Sequence, residues 1–342
     1  MKRFSASFEP FLLKFIKPAG TSRGFLLEKP SWLLKIRDNE SGAEGIGECS
    51  IIPGLSIDDE KHVEDKLSEL CKSIHENQDI EAHDVDLHKY PAIQFAKETA
   101  ILDLAGGGKK ILFNNPFSRG EQGILINGLV WMAHPDDMLK QAEEKFKNGY
   151  RTLKFKIGAI DFQSELNLIK TVRDHFGSEI EIRLDANGAF SDREVMSNLD
   201  RLSKFQIHSI EQPISAGNWK LMALICKESP IPVALDEELI GIYGLTHKSE
   251  LLEAIQPQYI ILKPSLLGGF KETDAWIFIA EKYGTGWWAT SALESNVGLN
   301  AIAQWVAQKS PALAQGLGTG SLFSNNYRIP LKTLNGKLWF VW

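Results

Sequence analysis

The sequence predicts an α/β fold, a (β/α)8-type (TIM-like) barrel with an N-terminal α+β capping domain. Short apolar stretches alternate with amphipathic helical ones through most of the 342 residues, the pattern of parallel βαβ units. Ionisable residues stand singly at the ends of successive apolar stretches, 25 to 29 residues apart, and active sites of such barrels lie at strand C-terminal ends. The first third of the chain follows a different rhythm.

That first unit, residues 1–122, opens with alternating stretches at Phe11, Leu13 and Phe15 and again from Trp32 to Ile36, then helical segments around 59–78 and 91–106. A polar, Gly-rich stretch from Gly106 to Gly123, with Asn114, Asn115 and Pro116, reads as a boundary. The barrel is expected over 123–320, its eight strands at 123–130, 152–157, 180–185, 209–212, 232–236, 259–263, 286–291 and 312–316. Helices between them keep a 3.6 period, as in Phe162, Leu166, Ile169 and Val172. Ser191, three residues before Glu194, reads as the capping-box start of the helix that carries Val195, Leu199 and Leu202. An open doubly wound sheet normally shows a Gly-rich fingerprint after its first strand, and Ile126-Asn127-Gly128-Leu129 is not one. Residues 321–342 end in Leu-Trp-Phe-Val-Trp and are expected to pack back on the capping domain.

Composition narrows the function classes. With 43% hydrophobic and 24% charged residues the chain can build real cores. The net charge of -6 and the absence of any long Lys/Arg run argue against a nucleic-acid partner. Apolar stretches are broken before the ~20 residues of a membrane span, and Met-Lys-Arg-Phe is followed by no apolar leader, so a cytoplasmic protein is expected. Cys49, Cys71 and Cys226 fit neither a disulfide framework nor a zinc motif. The histidines show no zinc-hydrolase spacing, and no Gly-x-Ser-x-Gly elbow occurs.

The chemistry sits on the strands. In Thr152-Leu153-Lys154-Phe155-Lys156-Ile157, alternation points both lysines into the barrel. It does the same for Arg183, Asp185 and Asn187 on the next strand, and Glu211, Asp236 and Lys263 end the three that follow. Buried charges are costly unless paired or bound to a metal. Three carboxylates on adjacent strands form an all-oxygen set suited to a hard cation such as Mg²⁺, or Mn²⁺ in its place. Such an ion can take a substrate carboxylate and offset the charge that develops when the neighbouring proton leaves. Lys156 and Lys263 flank the set, one placed to act as base and the other as stabiliser, while the second cation, Lys154, lowers the cost of a neutral Lys156.

The pattern Lys-x-Lys, Asp-x-Asn, Glu, Asp-Glu and Lys on strands two to six resembles the enolase superfamily, and within it the muconate-lactonising subgroup. Gly45-Ile46-Gly47-Glu48-Cys49 and Pro53-Gly54-Leu55-Ser56 resemble that family's capping-domain strand and specificity loop. The resemblance implies that Lys156 abstracts a proton alpha to a carboxylate with Lys154 assisting. It implies that Asp185, Glu211 and Asp236 hold Mg²⁺ and that Lys263 lies on the opposite face of a small carboxylate substrate. Two outcomes are compatible with it: dehydration to an aromatic product through an enediolate, and epimerisation or racemisation of dipeptides or N-acyl amino acids. The segment Ser291 to Leu299 and the acid-free Gly318-Thr319-Gly320, where epimerases usually carry Asp-x-Asp, favour dehydration. A barrel that binds an anionic metabolite without catalysis is the remote alternative.

Other positions carry two readings each. Arg183 is a site residue or a core ion-pair partner, Asn187 orients a ligand or makes a turn, and Glu237 is a weaker rival to Asp236 for the metal. Ser291 is a candidate for binding a substrate carboxylate, with Glu294 capping the next helix. Gly318 and Thr319, with Arg23 and Leu55 in the capping loops, complete the substrate-binding candidates.

Overall fold

The computed structural model describes residues 2–21 and 24–341. The first unit is a three-stranded antiparallel sheet of β1 (Phe4–Pro10), β4 (Ser31–Asp38) and β5 (Glu44–Ser50). A hairpin, β2 (Leu13–Thr21) with β3 (Gly24–Lys29), stands beside it. Helices α1 (Val63–Asn77) and α2 (Pro91–Ala105) cover the sheet. Their buried faces, Leu67, Leu70 and Ile74 on α1 and Ala92, Ile93 and Ala96 on α2, close a core with Trp32, Leu34 and Ile36. A Cβ at Gly47 would fall 1.8 Å from the Ala96 carbonyl oxygen, so only glycine lets α2 lie this close to β5.

Seven parallel strands form the main sheet in unbroken chain order. They are β7 (Gly128–Val130), β8 (Thr152–Lys156), β9 (Glu181–Asp185), β10 (Ile207–Glu211), β11 (Val233–Leu235), β12 (Tyr259–Leu262) and β13 (Gly286–Ala289). Between them run α3 (Pro135–Lys147), α4 (Phe162–Phe176), α5 (Val195–Ser203), α6 (Trp219–Glu228), α7 (Gly244–Ile255), α8 (Pro264–Leu267) and α9 (Gly269–Tyr283), and α10 (Asn296–Lys309) follows β13. The predicted apolar stripes are where burial occurs: Val195, Leu199 and Leu202 are wholly buried on α5. Among the described residues no helix is long and apolar enough to cross a membrane.

Three elements differ from expectation. The stretch 123–130 is split: β6 (Ile124–Leu125) pairs with the C-terminal hairpin of β14 (Leu331–Leu334) and β15 (Lys337–Phe340), and only β7 joins the parallel sheet. Residues 312–316 form no continuous strand. Gln315 and Gly316 make single parallel bridges to Ile126 and Thr290, one to each edge of the sheet. The Gln315 side chain supplies further bonds, accepting from Ala289 N–H at 2.8 Å and donating to the Leu313 carbonyl at 2.7 Å. The third difference is at Ser191, whose hydroxyl bonds the Glu194 carboxylate at 2.6 Å instead of a backbone N–H, so α5 begins only at Val195.

The C-terminal segment touches both units. Ser324 N–H donates to the Lys14 carbonyl and Asn325 Nδ2 to the Leu12 carbonyl, while β15 continues onto β6.

Asp58 carries a stability prediction. It lies in the first unit, accepts from Ala92 N–H at the start of α2, and its Oδ2 is buried without a partner. Burial pushes its carboxyl up to about 7. A carboxyl raised on folding stabilises below its unfolded value and loses that contribution as pH climbs through the folded one. Asp58→Asn keeps the bond to α2 without the buried charge. It is expected to stabilise by on the order of 3 kcal/mol at pH 8 and to be near neutral at pH 4, read by urea melts at both pH values.

Candidate active site

Strand register brings Lys156, Asp185 and Glu211 to one level, and Asp236 and Lys263 follow just past the ends of the next two strands. Lys156 pairs with Asp185, Asp185 with Glu211, and Glu211 with Ala234, which puts Asp236 just beyond β11. Lys263 follows β12 as the residue that enters α8. The loop after β8 is pinned by Glu165 of α4, which accepts from the N–H of Gly158 at 2.6 Å and so fixes the strand end that carries Lys156.

The charges interleave. Lys154 Nζ lies 2.8 Å from Asp185 and 2.6 Å from Glu211, so its charge is answered mainly by these carboxylates. Lys156 Nζ donates to Asp185 Oδ2 at 3.1 Å and to Asn187 Oδ1 at 2.6 Å. Lys263 bonds Asp236. Burial opposes the charge on Lys154 and Lys263, but the carboxylates around them outweigh it and raise both. Burial likewise opposes the charge on Asp185, yet Lys154 and Lys156 hold its carboxyl well below the usual range. Glu211 is pushed up to about 7 by burial and then by Asp185, and burial raises Asp236.

Several acids on neighbouring strands, all oxygen donors, suit a hard divalent ion. Glu211 Oε1 is buried with no hydrogen-bond partner, the kind of orphaned oxygen a cation would satisfy. As the side chains stand, no three acidic, His or Cys groups among the described residues surround one point, because the ammonium of Lys154 sits between two of the acids. The all-oxygen donor set is of the kind that suits Mg²⁺.

Above the charges is a cavity of about 220 Å³. Lys154, Lys156, Asp185, Asn187, Glu237 and Lys263 line its base; Ser291, Leu293, Gly318 and Thr319 form one wall, and Leu26, Ile52, Pro53 and Leu55 of the first unit close over it. Apolar walls with a few polar groups are the usual make-up of a small-molecule site. Glu211 and Asp236 are buried and are not part of the lining. Glu237 faces the cavity and accepts from Asn187 Nδ2 at 3.1 Å, because the chain leaves the β conformation at Asp236. Arg183 is not in the lining. Its guanidinium pairs with Glu181 at 2.9 Å and stacks 4.2 Å over Trp288, so the structure places it with the core ion-pair reading. Arg23 lies outside the described residues.

Glu294 is not a helix cap. Ser295 caps α10, and Glu294 accepts from Ser265 and Ser291. Sequence reasoning also missed Asn127 and Gln212. Asn127 lines the cavity with a buried, unpartnered Oδ1, and alternation with Leu129 on the first strand was the available signal. Gln212 is fully buried at φ 41, and its Oε1 accepts from the N–H groups of Asp236 and Glu238 at 3.2 and 3.4 Å, fixing the turn that presents Asp236. Nothing in the sequence marked it.

Comparison with known proteins places this geometry. Residues 137–331 match the family model described as Enolase C-terminal domain-like. The o-succinylbenzoate synthase of Desulfotalea psychrophila is 46% identical over 344 residues, covering 92% of this chain and 93% of that one. The crystal structure of MenC from the same organism superposes with a TM-score of 0.87 at 40% identity, covering 98% of this chain and 99% of that one. A dipeptide epimerase of Enterococcus faecalis, solved with Mg and the dipeptide L-Leu-L-Tyr, shares the fold at a TM-score of 0.85 and 21% identity, over 100% of this chain and 98% of that one.

Proposed function

The chain belongs to the enolase superfamily, and from that premise we propose that it is an Mg²⁺-dependent o-succinylbenzoate synthase of menaquinone biosynthesis. Its architecture is then a capping domain over 1–122, a (β/α)8 barrel over 123–320 closed through Gln315 and Gly316, and a C-terminal segment over 321–342. Asp185, Glu211 and Asp236 would hold Mg²⁺, or Mn²⁺ in its place. When bound, the ion supplies Lewis-acid stabilisation of the carboxylate charge that grows as the α-proton leaves.

The protein's own groups do the rest. Lys156, in its neutral form, takes the α-proton of the succinyl-hydroxycyclohexadiene carboxylate, leaving the C–H electron pair in an enediolate. Asn187 and Asp185 aim the Lys156 amine. Lys263 faces the ring from the far side of the cavity and steadies the anion by charge and cation–π contact. The electron pair then expels the hydroxyl as Lys156 returns its proton to it, and water and an aromatic ring result. The capping residues Leu26, Ile52 and Leu55 exclude bulk water from the cavity.

One observation carries dehydration over epimerisation: Gly318 and Thr319 form a cavity wall, where an acid would be needed to grip a dipeptide's ammonium. The 46% identity to a synthase over most of the chain supports the same choice. The test sets two reactions side by side with Mg²⁺. The cyclohexadiene substrate should lose its absorbance, while dipeptides and N-succinyl amino acids in D₂O should exchange their α-proton much more slowly. Unchanged absorbance with rapid exchange makes the chain an epimerase or racemase.

A further inference from the structure

Beyond the groups assigned above, a second set of buried acids and hydroxyls lies behind the cavity wall. Glu294 is fully buried and does not line the cavity. One of its oxygens accepts from Ser265 Oγ at 2.5 Å, the other from Ser291 Oγ at 2.6 Å. Ser291 Oγ in turn accepts from Leu293 N–H at 3.1 Å and from the Thr319 hydroxyl at 2.9 Å. A serine hydroxyl has one proton and two lone pairs. All are in use, so Ser291 has no bond left to offer a ligand.

What Ser291 does is join Glu294 to two residues of the cavity wall. Thr319 is one. Leu293 is the other, and it stands at φ 62, a left-handed conformation that a residue with a Cβ adopts at a cost. The bond from its N–H to Ser291 offsets that cost and keeps its side chain in the wall.

The same loop is tied to the capping sheet. Glu48 of β5 accepts from the N–H groups of Ser295 and Gly298 at 2.9 and 3.0 Å, at the start of α10, where a negative charge is favoured. It also accepts from Ser31 of β4. Lys29, fully buried, bonds Ser31 and Ser50, and Glu48 and Glu294 both favour its charge against the cost of burial. A Cβ at Gly298 would fall 2.7 Å from the Glu294 side chain, so glycine there is what lets the acid fit against α10.

We infer that Glu294 is a positioning residue that acts through Ser291 to set Leu293 and Thr319 as the substrate-facing wall. Ser291 is then part of the positioning chain and not the donor to a substrate carboxylate. The inference rests on reading this cavity as the substrate site.

The test uses full-length Glu294→Gln, Ser291→Ala and their double variant, with two readouts. In steady-state turnover of the cyclohexadiene substrate with Mg²⁺, each single variant is expected to raise KM about tenfold and change kcat by less than about twofold, the size of one lost hydrogen bond to a charged group. The double variant should be no worse than either single, because both cut one chain. In the ligand-free protein, the Leu293 amide should exchange its hydrogen about tenfold faster in each variant than in the wild type. Ser265→Ala removes only the other donor to Glu294 and should move neither readout by more than about twofold.

Unchanged KM and unchanged Leu293 exchange would overturn the inference. So would singles whose effects add, since Ser291 would then touch substrate on its own account. A wild type inactive on the cyclohexadiene overturns the assigned reaction instead, and the exchange measurement still decides the role of Glu294. If Glu294→Gln does not fold, Ser291→Ala carries both readouts.

Discussion

Lys156→Ala is expected to lose turnover by about 10³- to 10⁴-fold, the range of a positioned acid–base group that acts twice in one cycle. Its melting temperature should stay within a few degrees of the wild type. Lys156 is one of two lysines on Asp185, and Lys154 remains 2.8 Å from that carboxylate, so no buried acid is left without a cation. Asn187 loses one donor but keeps its bond to Glu237. The pair of results matters: full activity in this variant would move the base elsewhere, and a collapsed fold would make Lys156 a structural cation.

Asp185→Asn should lose stability as well as activity. Asp185 is fully buried and takes both lysines, so removing its charge leaves Lys154 with Glu211 alone and Lys156 with Asn187. Breaking a buried pair in this way costs about 3 kcal/mol in the metal-free protein, at the lower end of such losses because one partner survives. Turnover should fall by at least about 10³-fold, since the variant loses both a proposed metal ligand and the group that aims the proposed base. Wild type should melt higher when Mg²⁺ is added, by ligand linkage. The variant should show no such rise. An Asp185→Asn protein that melts lower yet still turns over at the wild-type rate would make the carboxylates a device for holding strands.

Much of this site was legible because short parallel strands alternate strictly. Thr152-Leu153-Lys154-Phe155-Lys156 can present both lysines to one face only, and the regular strand–helix spacing carried that level to Asp185 and Glu211 and put Lys263 at the end of a later strand. Legibility failed where the backbone leaves that pattern. Glu237 was read as a weaker rival to Asp236, since strict alternation would turn it away, but the chain turns at Asp236 and brings it to the cavity. The eighth strand failed for a related reason, since Gln315 closes the sheet edges partly through its side-chain amide, which no periodicity records. Asn127 was hidden by a strand that breaks to serve two sheets. Ser291 was found as a position, but its bonding depends on distances to Glu294, Leu293 and Thr319 that a sequence does not contain.

Turnover of the cyclohexadiene carboxylate after chelation of divalent ions, followed as Mg²⁺ is returned, tests the metal-dependent dehydration most directly. The expected course is no turnover in the chelated protein and saturable recovery with added Mg²⁺, with o-succinylbenzoate formed mole for mole from substrate consumed. Turnover that persists undiminished after chelation, or a metal-replete protein that leaves the substrate untouched, would contradict it.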